Sequence, residues 1–253
     1  MKIKKLKSIL DAYDTKYGNR AFAASDPVQI PMLCKSTADA EISAFLTALI
    51  CWGQRQNIIA TAKTWMGMMG HCPYEFVLNY KIKDQKHLKN FYYRTFNVND
   101  AHHTFIQLQK LLLRHGSIEK AFCKDSTLDF ENQIRAFRLE FLHENKHPRL
   151  EKHISNIDKN AAAKRLCLFL KWMVRSSAGG TDLGLWTGVS CSNLMIPLDV
   201  HVCRAAYKLK IINSKQAHWK HVKQITACLK TLNPEDPVKY DTALFCIGAG
   251  FTL

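Results

Sequence analysis

No run of apolar residues in this chain approaches the ~20 that a membrane-spanning helix needs. The longest, from Ile42 to Trp52, is interrupted by Ser43 and Thr47. The opening MKIKKLKSILDAYDTKYG is basic but lacks the apolar stretch of a secretory signal. A cytoplasmic location is therefore expected. The nine cysteines are an odd number, widely spaced, and no two stand as Cys-x-x-Cys. That spacing argues against a disulfide framework and a structural zinc, and leaves reduced thiols in the core. The eleven histidines include His143-x-x-x-His147 and His218-x-x-His221, without an acidic or cysteine partner at metal-ligand spacing. No metal site and no cofactor are expected. Internal repeats, low-complexity tracts and long linkers are missing as well.

Acidic residues are also scarce. Against 36 Lys and Arg there are 21 Asp and Glu, a net charge of +15, with a pI near 9.4. Such an excess favours a polyanionic partner and supplies the salt-sensitive part of nucleic-acid binding. With 47% hydrophobic and 23% charged residues, 253 residues are enough to bury a substantial core.

What the chain does have is helical periodicity almost throughout, with no alternation of period two. Ile3, Leu6, Leu10 and Tyr13 share one helical face. Ile42, Phe45, Leu46, Leu49 and Ile50 recur at spacings of three and four, which predicts a helix over 39–52. Further helices are predicted over 57–69, 100–115, 128–142, 161–175, 198–209, 215–232 and 238–248. Turn residues separate them: Gly18-Asn19, Gly70, Asn97, Gly179-Gly180 and Asn233-Pro234. The expected architecture is all-α, a compact helical bundle forming one domain over 1–253, with two lobes and a cleft between them.

Three stretches carry candidate chemistry. In IPLDVHVCRAAYKL, Asp199 opens a helix and His201 and Arg204 follow. Asp199 can cap the helix or stand as a fixed carboxylate at a cleft, where it stabilises positive charge on a substrate. In AAAKRLCLFLKWMVR, Lys164, Lys171 and Arg175 share a stripe apart from the apolar one, and Arg165 adjoins the first. Like charges on one face call for a compensating anion or solvent. Positive surroundings at a helix N-terminus favour the neutral, nucleophilic amine of Lys164. That amine can attack an anomeric carbon and form a Schiff base with the opened sugar. In Trp52-Gly53-Gln54, the Gln54 amide can both donate and accept. Tyr92, Tyr93 and Arg94 offer stacking and charge, while Trp52, Trp172 and Trp186 are candidates to line a pocket.

The first stretch resembles the segment of helix-hairpin-helix DNA glycosylases of the endonuclease III type that carries the catalytic Asp. Lys164 matches the family's catalytic Lys, in the same order along the chain. The long segment 176–195 between Lys164 and Asp199 looks like the archaeal 8-oxoguanine glycosylase branch. So does DPVKYDTALFCIGAGFTL, in which Asp241 and Phe245 match an Asp and an aromatic of the last helix. Residues 39–65 look like the segment in which a Gln approaches the orphaned base, and Gln54 takes that place. The four clustered cysteines of the iron–sulfur relatives are absent, and NIDKNAAA stands where the hairpin's Gly-x-Gly precedes Lys164. LKWMVR, TDLGLW, IPLDVHV and DPVKYDTALF also look like a bacterial family without an assigned function. The resemblance implies a helix-hairpin-helix glycosylase-like fold and excision of a damaged base from DNA, without a cofactor. In that reading Lys164 and Asp199 are catalytic, and Gln54, Arg94, Arg165, Lys171, Arg175, His201 and Arg204 contact DNA. A nucleic-acid-binding helical protein without turnover, or an enzyme on a small phosphorylated substrate, are the alternatives. Asp236-Pro237 reads as the start of the last helix; Asp241 either pairs with a basic residue in the cleft or is an early-helix carboxylate favoured by the helix dipole, the second reading slightly preferred.

Overall fold

Short polar side chains turned back onto free N–H groups start four of the longer helices. Ser36, Asn97, Asp129 and Asp199 each accept from a first-turn amide, as do Asn19 and Ser117 in shorter elements. The structure is a computed structural model that describes residues 3–253. Among them the α-helices are α1 (Ile3–Tyr17), α2 (Arg20–Ala23), α3 (Thr37–Leu49), α4 (Arg55–Met68), α5 (Pro73–Leu78) and α6 (Val98–His115). They continue with α7 (Ile118–Phe122), α8 (Phe130–Phe141), α9 (Lys164–Val174), α10 (Val200–Lys208), α11 (Trp219–Lys230) and α12 (Asp241–Ala249). No strand forms among the described residues, and extended pairing is limited to two isolated bridges, Tyr93 with Phe96 and Ala161 with His218. None of the described helices is long and apolar enough to cross a membrane. The fold is all-α, as the periodicity predicts.

Two compact units divide the chain. One is Asp26–Ser155; the other joins the N-terminal residues up to Ser25 to Asn156–Leu253.

In the unit Asp26–Ser155, α3 forms the centre, buried from Ala40 through Leu49. Phe45 of α3 meets Phe137 edge-on at 6.3 Å and Phe141 at 5.3 Å. A second aromatic cluster gathers Trp65, Phe91 and Phe96. Rings this deeply buried contribute roughly 2–3 kcal/mol each. A carboxylate sits in this core too. Glu41, 3% exposed, accepts from the amides of Ile118 at 2.8 Å and Glu119 at 2.9 Å. Those are first-turn amides of α7, so the buried charge sits where the helix dipole stabilises it.

In the other unit, α12 packs against α10 and α1. Gly248 lies so close to the His201 backbone that a side-chain carbon would collide with it. Tyr240 Oη donates to Asp11 at 2.7 Å, and Tyr13 Oη to the Phe251 carbonyl at 2.9 Å, which tie α1 to both ends of α12.

Candidate functional site

Lys164 is the first residue of α9, and the turn before it dispenses with the missing glycines. Asn160 and Ala163 both adopt left-handed backbone, with φ of 58° and 48°. For alanine that conformation costs on the order of 1 kcal/mol. No side chain caps α9. Asn160 is anchored instead to the start of α11: its carbonyl accepts from Trp219 N at 3.0 Å and its Oδ1 from Lys220 N at 3.2 Å. Lys164 and Arg165 are half-buried.

Asp199 caps α10. Its Oδ1 accepts from His201 N at 2.8 Å and Val202 N at 2.9 Å. Oδ2 takes no hydrogen bond among the described residues, so capping leaves half of this half-buried carboxylate for other work. His201 lies edge-on to Phe245 at 5.0 Å, and its Nδ1 is buried with no hydrogen-bond partner. Arg204 is exposed one turn further on.

Behind these residues runs a chain of alternating charges. Asp182, with no exposed side-chain surface, accepts from Lys171 Nζ at 2.9 Å and from Arg175 Nη1 at 2.9 Å. Lys171 Nζ also lies 3.5 Å from Asp241. Arg175 Nε donates to Asp236 at 2.8 Å, and its Nη1 also reaches Thr181 Oγ1 at 3.0 Å. Burial pulls the Lys171 ammonium towards neutrality, but Asp182 and Asp241 overcome it and hold its pKa above the usual lysine value. Burial raises Asp241 to about 6, Lys171 opposes the rise, and Asp199 and Asp182 add to it while Lys164 acts against it.

This geometry corrects two expectations and decides between two readings of a third residue. Lys171 is 4% exposed, and it and Arg175 are neutralised by carboxylates, so neither is a solvent-facing cation for the DNA backbone. Of the two readings of Asp241, pairing with a basic residue is the one that the structure shows, with Lys171 as the partner. Asp236 does not cap α12, which begins at Asp241; its carboxylate is occupied by Arg175 and by Cys191 Sγ at 3.5 Å. Asp182 carries no signal in the sequence. Its position in TDLGLW, seven residues beyond the basic stripe, gives no periodic clue to the pairing. Trp172 and Trp186, 1% and 3% exposed, belong to the core.

The unit Asp26–Ser155 brings together two residues forty apart in sequence. Gln54, exposed, precedes α4, and its Oε1 accepts from Asn57 at 3.3 Å rather than from the helix backbone. Arg94, also exposed, packs over Gly53, where any side-chain carbon would strike its guanidinium. Gly53 has φ of 104°, a backbone open to glycine at little cost. Among the described residues no group of three His, Cys, Asp or Glu is arranged to hold a metal ion.

The fold and the site together define an all-helical protein with a lysine and a carboxylate at two helix starts, backed by buried ion pairs. The chain belongs to the family described as "Protein of unknown function (DUF2400)", whose model matches residues 26–250. No curated protein matches the chain, and no solved structure does.

Proposed function

We propose that this protein excises damaged bases from DNA, on a helix-hairpin-helix glycosylase-like fold, with Lys164 as nucleophile and Asp199 as its carboxylate partner. One observation carries the reading: Lys164 opens α9, and Asp199, at the start of α10, spends only Oδ1 on its cap and keeps Oδ2 for a substrate. The Lys164 amine forms a bond to the anomeric carbon as the glycosidic C–N bond breaks. The bonding pair leaves with the base, which takes up a proton. The free Oδ2 of Asp199 stabilises the cationic sugar or accepts the proton that Lys164 loses. Ring opening then gives a Schiff base, the intermediate of a glycosylase that also cleaves the strand. The net charge of +15 supports a DNA partner. Arg165, His201 and Arg204 would contact DNA around this site, and Gln54 and Arg94 would do so in the unit Asp26–Ser155. Gln54 suits the gap left by an extruded base.

Borohydride reduction tests the reading, because it converts a reversible imine into a stable amine. The wild type should crosslink to duplex DNA carrying damaged bases or abasic sites, and Lys164→Gln should not. Equal trapping by both proteins would remove Lys164 from the chemistry. Salt-sensitive DNA binding without trapping or excision would leave the non-catalytic alternative.

A further inference from the structure

The edge formed by Gln54 and Arg94 is built from two irregular segments, and one buried group is tied to both. Trp52-Gly53-Gln54 forms the first segment. The second is a two-residue hairpin in which Tyr93 and Phe96 exchange hydrogen bonds of 2.8 and 2.9 Å around Arg94 and Thr95. Arg94 has φ of 55°, which a non-glycine residue keeps only when its surroundings impose it. Tyr93 Oη donates to the Trp52 carbonyl at 2.9 Å and joins the two segments.

Asp100 lies beneath them with no exposed surface. Both of its oxygens accept from Arg149 Nε at 3.0 Å, and the other arm of that guanidinium donates to the Thr95 carbonyl. His153 Nε2 stands 3.2 Å from Asp100 Oδ2. The His153 ring stacks on Trp52 at 6.4 Å and meets Phe96 edge-on at 4.8 Å. Asp100 also accepts from Asn97 N at 2.9 Å and lies 3.6 Å from His147 Nε2. Burying a carboxylate is costly unless it is paired. Here the pairing reaches the hairpin through Arg149 and the Trp52 segment through His153.

We infer that Asp100 and Arg149 are positioning residues that hold the Gln54–Arg94 edge in the shape it presents to DNA. The DNA part rests on the function proposed above; the positioning part rests on the geometry. Such a strut stiffens the hairpin, so that Arg94 meets its partner without first losing conformational freedom.

Arg149→Gln is the variant of choice, because it leaves the Asp100–Asn97 capping box of α6 intact. Two measurements decide. In amide hydrogen exchange, Tyr93 and Phe96 should exchange at least about tenfold faster in Arg149→Gln, while core amides of α3 keep their rates. Unchanged rates, or a uniform rise that includes α3, would overturn the positioning role. In titrations of a short duplex with a stable abasic analogue, Arg149→Gln should weaken binding roughly tenfold in the wild-type background and less than about twofold beside Arg94→Ala. An equal loss in both backgrounds would show that Arg149 acts independently of the edge. Absence of DNA binding by the wild type would overturn the proposed function alone, and the exchange rates would still decide the strut.

Discussion

Asp182 and Lys171 form a fully enclosed ion pair at 2.9 Å, the side chain of the first showing no surface and that of the second 5%. Exchanging such a pair for apolar side chains of similar size is often neutral or stabilising, whereas removing one partner strands a buried charge. What the pair adjoins is Asp241, 3.5 Å from Lys171 Nζ.

Breaking that pair should therefore cost stability. Asp182→Asn leaves the ammonium of Lys171 and the guanidinium of Arg175 without their shared carboxylate, and we expect a loss of about 3 kcal/mol. Denaturant unfolding monitored by circular dichroism measures it. A change under about 1 kcal/mol would mean that Asp236 and Asp241 carry both cations unaided.

Asp241 makes stability fall with pH. Its carboxyl keeps a proton up to about 6 in the folded protein, against about 3.9 in an unfolded chain. Between those values the native state binds more protons. Stability contributed by this group therefore declines as pH rises from about 4 to about 6, and the deficit persists above that range. Asp241→Asn removes the titration. The unfolding free energy of the variant minus that of the wild type should rise across this range and then level off. A flat or falling difference contradicts the raised pKa.

Asp199 should separate capping from catalysis. Asparagine caps helices as well as aspartate does, so Asp199→Asn should keep the stability of α10, whereas Asp199→Ala should lose about 1 kcal/mol. Base excision, assayed on a panel of oxidised, alkylated and deaminated substrates, should disappear in both variants while DNA binding persists in Asp199→Asn. Full activity in Asp199→Asn would reduce this residue to a cap.

One substitution at two glycines should have opposite signs. Gly67 lies within α4 with nothing near its missing side chain, so Gly67→Ala should stabilise by roughly 0.5–1 kcal/mol. Gly248 lies within α12 against the backbone of His201, so Gly248→Ala should separate α10 from α12 and destabilise by about 1–3 kcal/mol. Thermal melts compare the two directly. Stabilisation by Gly248→Ala would contradict the close approach of these helices.

Most of the helices were legible in the sequence because their signals are local. Apolar spacing predicted 39–52, 100–115, 128–142 and 161–175, and α3, α6, α8 and α9 occupy those stretches with shifted ends. Short α5 and α7 escaped detection: five or six residues carry too little periodicity to distinguish a helix from a turn. Pro237 after Asp236 imitates a helix start, yet α12 begins at Asp241 and the Asp236 carboxylate is engaged by Arg175.

The sequence by itself determined that Asp199 stands at a helix start, because a cap depends on amides two and three residues on, and it placed Lys164 in the first turn of a helix. Tertiary structure alone decided what surrounds them. The stripe of Lys171 and Arg175 looked like a basic surface, but Asp182 from a loop, Asp236 and Asp241 close over it. It decided equally that Arg94 lies on Gly53 and that Asp100 supports both. Side-chain pairing between distant segments follows from how their helices and loops pack. No local pattern of charges encodes it, because the energy that draws such groups together appears only once packing has excluded water from between them.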